Sequence, residues 1–393
     1  MIVIKNGSVF FKGKFEKLDV GIQDDKIVKI GKNLKGDSSF DASDMLVVPG
    51  LIDPHVHLRE PGDTRKEDME TGTKAAVAGG FTTVMDMPNN TIPTTTVQRL
   101  NEKKALARRK AVCSVLFHFG ATDNNFEEVM KARPLSMKVY LGKTTGELYL
   151  RNPTSLEKHF QYYDGHFVFH ADISEGSEEQ QLEATYKNLE EIGRLSNRYK
   201  RRAHIAHASS GKMIEFSKTL GMTVEVPPHY LFLSDKDAKK LKNLGTVYPP
   251  LRSEKLRRSL WSRLSQADCI ATDHAPHTLE DKEMGAHGFP GLETSLALML
   301  SAYHSKKLKL EWIIERMSLR PAEIFGFDGI GRITEGYYAD VSIIDLKKEW
   351  KVKGEEQYTK CKWSPFEGKK LKGKAKSVFH KGKLIFDDYE FKM

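Results

Sequence analysis

Apolar and polar residues alternate along both ends of the chain, while the middle follows a different rhythm. Residues 1–4, 17–23 and 26–30 have the period of two expected of half-buried strands, with Asn6-Gly7 and Asp24-Asp25 supplying turns. Residues 339–345, 375–380 and 383–386 repeat that texture at the other end. Neither end offers enough strands for a comfortable sheet of its own. Residues 1–50 and 339–393 are therefore expected to combine into one small β-sandwich domain, with the rest of the chain inserted between its halves.

In the middle, short apolar runs alternate with segments of helical period. Strands are expected at 46–52, 82–86, 112–118, 137–141, 166–170, 203–207, 223–226 and 269–272. Helices are expected between them, among others at 65–78, 97–109, 178–195 and 211–220. Eight strand–helix units over residues 51–338 fit an α/β fold closed as a (β/α)8 TIM barrel. An open doubly wound sheet would carry a glycine-rich nucleotide loop after its first strand, and none is present.

Composition removes several functional classes. The longest apolar runs, at 45–48 and 114–117, fall far short of the ~20 residues that span a bilayer, so no membrane association is expected. The N-terminus has no basic flank or apolar core of a secretory signal. Cys113, Cys269 and Cys361 show no C-x-x-C spacing, and reduced thiols in a cytoplasmic protein are the expectation. The net charge of +9 comes largely from Lys-rich stretches at 369–383 and 103–110, which read as solvated faces. With no zinc-finger, RRM or KH signature, no nucleic-acid partner is expected.

Residues able to bind metal or move protons fall at the C-terminal ends of the expected strands, where barrels place their active sites. The first strand runs into Asp53-Pro54-His55-Val56-His57 and the fourth carries Lys138. The fifth ends at His170, the sixth at His207, and the eighth runs into Asp273-His274-Ala275-Pro276-His277. Two apart in extended chain, His55 and His57 project to one side and can share a divalent ion. His204, three residues before His207, is expected on the opposite face of its strand, and His166 at the wrong end of the barrel. In 136–141, Met137, Val139 and Leu141 face the helices, so Lys138 and Tyr140 point inward. A bare ammonium there is costly and repels cations. Carboxylation by CO₂ would convert it to a carbamate whose two oxygens can bridge two metals. Asp273 can bind a metal through one oxygen and take the proton of a bound water through the other. Oxygen and imidazole donors without thiolate favour Zn²⁺, two ions per subunit.

With these residues placed, the chain resembles the dihydroorotases of the amidohydrolase superfamily over essentially its whole length. The resemblance rests on Pro49-Gly50-Leu51-Ile52-Asp53-Pro54-His55-Val56-His57-Leu58-Arg59, Asp86-Met87-Pro88-Asn89 and Lys138-Val139-Tyr140-Leu141. It continues in Val226-Pro227-Pro228-His229, Thr272-Asp273-His274-Ala275-Pro276-His277 and Gly288-Phe289-Pro290-Gly291-Leu292-Glu293-Thr294. It implies reversible closure of N-carbamoyl-L-aspartate to L-dihydroorotate in pyrimidine biosynthesis. It also implies that His55 and His57 bind the more buried metal and His170 and His207 the more exposed one, with Lys138 and Asp273 completing the site. Arg59, Asn89 and His277 would hold the substrate's free carboxylate, a role suited to a guanidinium fork. Thr144 and Thr145, just after the fourth strand, match the place where a lid can donate hydroxyls, with an ordinary turn as the alternative. At Tyr248 relatives can carry a polar or basic substrate-contacting residue, which leaves that side of the pocket open.

Other cyclic amidases, such as hydantoinase, dihydropyrimidinase or allantoinase, share the metal set. Their rings lack this carboxylate and would not need Arg59 with Asn89. A noncatalytic assembly partner of the same fold would have lost metal ligands, whereas every position is kept here. The resemblance also leaves open a docking role beside catalysis, for example with aspartate transcarbamoylase.

Overall fold

The computed structural model describes residues 1–142, 148–150 and 152–392. Two parallel sheets make up its centre. One holds Leu51–Val56, Phe81–Asp86 and Ser114–Phe117; the other runs through Phe119–Gly120, Ser136–Tyr140, His166–His170, Arg202–Ile205, Thr223–Val226 and Cys269–Ile270. Each neighbouring pair within them is parallel. The sheets meet at both seams. His118 links the third strand to the next and donates its backbone N–H to the Asp86 carbonyl at 3.0 Å. At the far seam Val56 bridges His274 in parallel, and the His57 N–H donates to the His274 carbonyl at 2.8 Å.

Side-chain alternation explains which face each strand buries. Phe167 and Phe169 point outward and stack on Phe160 of the helix Pro153–Tyr162, at 4.3 and 5.8 Å between centroids. Val168, Ala206 and Cys269 point inward with Met85, and Phe325 closes the interior against the rings of His118, His166 and His204. The helices start where the sequence supplies caps: Asp68 for Met69–Ala78, Thr96 for Val97–Lys110, Ser177 for Glu178–Tyr199.

The remaining strands form two further sheets. Lys26–Gly31, Asp19–Gln23, Ile2–Lys5 and Ser38–Asp41 make one. The other orders Glu390–Phe391, Lys383–Asp387, Lys370–His380, Val341–Lys351, Leu46–Pro49, Ser8–Phe11 and Lys14–Lys17. Ile4, Val20 and Ile22 from the first share a core with Val9, Val47, Val341 and Phe379 from the second. Here the sequence expectation needs correction. The N-terminal strands do build a sheet of their own, because the short strand 38–41 supplies a fourth member that its polar sequence hides.

Residues 46–52 are likewise two elements rather than one. Leu46–Pro49 pairs with Val341–Ile344 in the outer sheet, and Leu51–Val56 joins the parallel strands. The crossing occurs at Gly50, where an added Cβ would lie 2.1 Å from Thr82 Oγ1. The sixth and eighth parallel strands end early, at Ile205 and Ile270.

Candidate active site

His55, Lys138 and His170 sit on strands; Lys138 and His170 reach the interior by ordinary alternation, whereas the strand of His55 shifts register between Asp53 and Val56. Arg59, His207 and Asp273 lie past strand ends with φ of 60°, 41° and 48°. Such left-handed backbone costs a side-chain-bearing residue ~1–3 kcal/mol and persists only where surroundings hold it. It breaks the alternation. His204 and His207 therefore both point inward, contrary to the parity expectation, with His204 one layer deeper.

Glu225, which sequence reasoning passed over, organises that layer. Its carboxylate takes a short hydrogen bond from His55 Nδ1, one from His204 Nε2 at 3.1 Å and one from the His207 backbone N–H at 3.1 Å. Burial opposes its charge, but His55 and His204 outweigh burial and hold the carboxyl far below its usual range. Its signal was available: an acid flanked by outward-facing Val224 and Val226 has the inward parity that singled out Lys138.

The hydrogen bond from Nδ1 to Glu225 assigns the His55 tautomer and leaves Nε2 as a free lone pair. His57 is fixed likewise, with Nδ1 2.8 Å from Asn89 Oδ1. Both Nε2 atoms then lie 3.2 Å from Asp273 Oδ1. Burial keeps both imidazoles neutral, pushing His57 down to about 3.

His170 Nδ1 faces His207 Nε2 at 2.8 Å, while His207 Nδ1 lies 3.4 Å from Asp172. Lys138 has no exposure, and among the described residues its Nζ has no hydrogen-bond partner. Burial lowers its pKa to about 8 against the pull of Glu225, Asp273 and Asp172.

The donor set fits a cation. Ligand atoms of His55, His57 and Asp273 all lie within 4.8 Å of one another, neutral imidazoles surround a carboxylate, and Lys138 Nζ and His170 Nε2 are orphaned buried atoms that call for a partner. His204, Glu225 and Cys269 form a second such group, but its carboxylate is already engaged three times.

The pocket over these atoms is lined by Arg59, Asn89, Tyr140, Tyr248, His287 and Gly288 beside the histidines and Asp273. Arg59 is 5% exposed and donates from Nε to the Pro276 carbonyl at 3.2 Å. Its NH2 meets His277 Nε2 at 3.0 Å, so His277 stands behind Arg59 rather than on the pocket wall. Among the described residues no carboxylate forms an ion pair with Arg59. Tyr248 stacks on His287 at 3.8 Å and closes the opposite wall, a feature the sequence left open. Thr144 and Thr145 lie outside the described residues.

Residues 46–385 match the model of the amidohydrolase family. The chain belongs to this family. As an amidohydrolase it is 39% identical to the dihydroorotase of Pyrococcus abyssi over 405 aligned residues, 99% of this chain and 96% of that protein. It is 35% identical to multifunctional protein CAD of Squalus acanthias over 362 residues, 89% of this chain and 15% of that protein. Among solved structures, the L-hydantoinase of Arthrobacter aurescens superposes with a TM-score of 0.93 at 25% identity, covering 100% of this chain and 97% of that one. Amidohydrolases of different ring specificity thus share this architecture, and only the pocket can separate them.

Proposed function

We propose that this amidohydrolase is a dihydroorotase, closing N-carbamoyl-L-aspartate reversibly to L-dihydroorotate in pyrimidine biosynthesis. The observation that carries the reading is Arg59, a buried guanidinium on the pocket wall whose protein partners are neutral. A buried guanidinium on the pocket wall with neutral partners is placed to receive an anion, and the carboxylate beside the substrate's ring amide supplies one. Hydantoin and dihydrouracil offer none, so likeness to a hydantoinase in overall shape does not favour that activity here.

In this reading Arg59 and Asn89 hold the substrate carboxylate, and His277 orients the guanidinium from behind. His55, His57, His170, His207 and Asp273 would hold two Zn²⁺ ions. Lys138 would join them after its amine adds CO₂ and loses a proton, which gives a carbamate with two oxygen donors. The ions would supply Lewis acidity and an activated water. Asp273 carries the proton. In ring opening its carboxylate accepts the proton of the attacking water and returns it to the departing ring nitrogen, and closure runs the transfers in reverse.

The fold is read as a (β/α)8 barrel of residues 51–338 with a β-sandwich from 1–50 and 339–393. Among the described residues no helix is long and apolar enough to cross a membrane, and a cytoplasmic location is proposed. Aspartate transcarbamoylase is the docking partner to test, by co-elution.

Purified protein loaded with zinc should turn over dihydroorotate and leave hydantoin, dihydrouracil and allantoin unchanged. Preference for any uncharged ring would overturn the assignment.

A further inference from the structure

The helix Val97–Lys110 carries Lys103, which is fully buried although Arg99, Glu102, Lys104, Arg108, Arg109 and Lys110 share the helix. Its ammonium pairs with Asp86 Oδ2 at 2.6 Å. It also donates to the Met87 carbonyl at 2.8 Å and to Asn90 Oδ1 at 2.7 Å. Asp86 uses its other oxygen to accept the Leu58 N–H at 2.7 Å, and Asn90 Nδ2 donates to the Glu60 carbonyl at 3.1 Å. The contacts bracket two residues. Arg59 is held through Leu58 on one side and Glu60 on the other, and Asn89 lies between Met87 and Asn90.

We infer that Lys103 is a positioning residue for substrate recognition: one buried ammonium sets the backbone that aims both Arg59 and Asn89 into the pocket. The inference rests on the carboxylate-binding role proposed for those two residues. Arg59 has the stronger need of such support, because its backbone sits at φ 60° and relaxes to an unstrained conformation if its brackets are cut. Asn89 also orders His57, but in the zinc-loaded chain the ion would hold the His57 ring through Nε2 as well. Loss of Lys103 should therefore disturb substrate binding before metal binding.

The test uses the zinc-loaded full chain as Lys103→Met and as Lys103→Met/Asp86→Asn, the second variant removing the carboxylate that the first leaves unpaired. In both, KM for dihydroorotate should rise at least ~10-fold, with kcat within ~3-fold of wild type and full metal content. The double variant should regain thermal stability without regaining KM, since neither the Met87 carbonyl nor Asn90 is gripped. Recovery of both together would mean that Lys103 only stabilises the fold, and would overturn the inference. Amide hydrogen exchange without substrate gives a second readout, expected to be at least ~10-fold faster at Leu58, Arg59, Glu60, Met87, Asn89 and Asn90 in both variants. Unchanged exchange overturns the role of Lys103 even if the wild type proves inert toward dihydroorotate, an outcome that counts against the dihydroorotase reading alone.

Discussion

Lys103, on the helix Val97–Lys110, and Lys138, on the strand Ser136–Tyr140, are both fully buried, and their surroundings could hardly differ more. Around Lys103 every direction offers an acceptor: a carboxylate, a carbonyl and an amide oxygen within 2.8 Å. Around Lys138 there is no hydrogen-bond partner among the described residues, and the Tyr140 ring lies 5.2 Å from the ammonium. A buried ammonium without partners costs several kcal/mol. The satisfied lysine shapes the loops beside the pocket, and the unsatisfied one is the residue proposed to be carboxylated. Carboxylation would remove the positive charge and supply two oxygen donors for the ions that the histidines would hold.

The sharpest way to break this comparison is to remove Lys138. Lys138→Ala should lose both metals and at least ~10⁴-fold in turnover, since Lewis-acid assistance is worth several kcal/mol at 1.36 kcal/mol per decade. A short carboxylic acid that fills the space should restore part of both. Metal analysis beside dihydroorotate hydrolysis decides it, and a fully metallated, active alanine variant would place Lys138 with Lys103 as mere structure. Asp273→Asn comes next. It should keep at least one metal and lose on the order of 10³-fold in both directions, the scale of a missing proton carrier. Near wild-type turnover in either direction would remove Asp273 from that role.

Arg59→Met tests the side of the pocket that Lys103 supports. Taking a charged donor from a desolvated carboxylate costs ~2–5 kcal/mol, so kcat/KM for dihydroorotate should fall at least ~30-fold at 1.36 kcal/mol per decade, with metals retained. If the variant instead loses metal or stability while turnover per metallated chain is unchanged, Arg59 only supports the loop after His57.

What the sequence could disclose follows from backbone regularity. His55 and Lys138 lie on strands, where residue type and parity located them. His170, His207 and Asp273 were found by type and position at strand ends, and Arg59 through the resemblance. The left-handed backbones of His207, Asp273 and Arg59 swing these three inward, and nothing in a parity argument anticipates that, which is why His204 was assigned to the wrong face. Lys103 was hidden by its company in a Lys- and Arg-rich helix read as a solvated face. Yet Leu100, Lys103 and Ala107 are the buried residues of that helix and recur at i, i+3 and i+7, the helical stripe that marks a core face. The Gly50 crossing and the strand Ser38–Asp41 were invisible for a related reason: their pairing partners lie far away in the chain.

A third buried lysine refines the contrast and gives the smallest expected effect. Lys282 donates to the Thr246 carbonyl at 2.6 Å, Thr246 Oγ1 at 2.8 Å and the Gly288 carbonyl at 3.2 Å, tying together the two segments of the wall opposite Arg59. Its acceptors are neutral, so its charge is solvated but not paired. Burial pushes its pKa down to about 7 from 10.5. Between those values the folded chain binds fewer protons at this site than the unfolded chain, so stability rises with pH there, by up to ~1.4 kcal/mol per unit. Below about 7 both states are protonated and the contribution is flat. The nearby His277 and His287 are kept neutral by burial and do not titrate in this window. Lys282→Met should make the rise between pH 7 and 10.5 shallower by the Lys282 share while raising KM for dihydroorotate no more than ~3-fold, the worth of one net hydrogen bond. Urea unfolding at several pH values, wild type against variant, measures it. An unchanged slope would show that the three oxygens hold the Lys282 proton as firmly as water does, and would place it beside Lys103 rather than between Lys103 and Lys138.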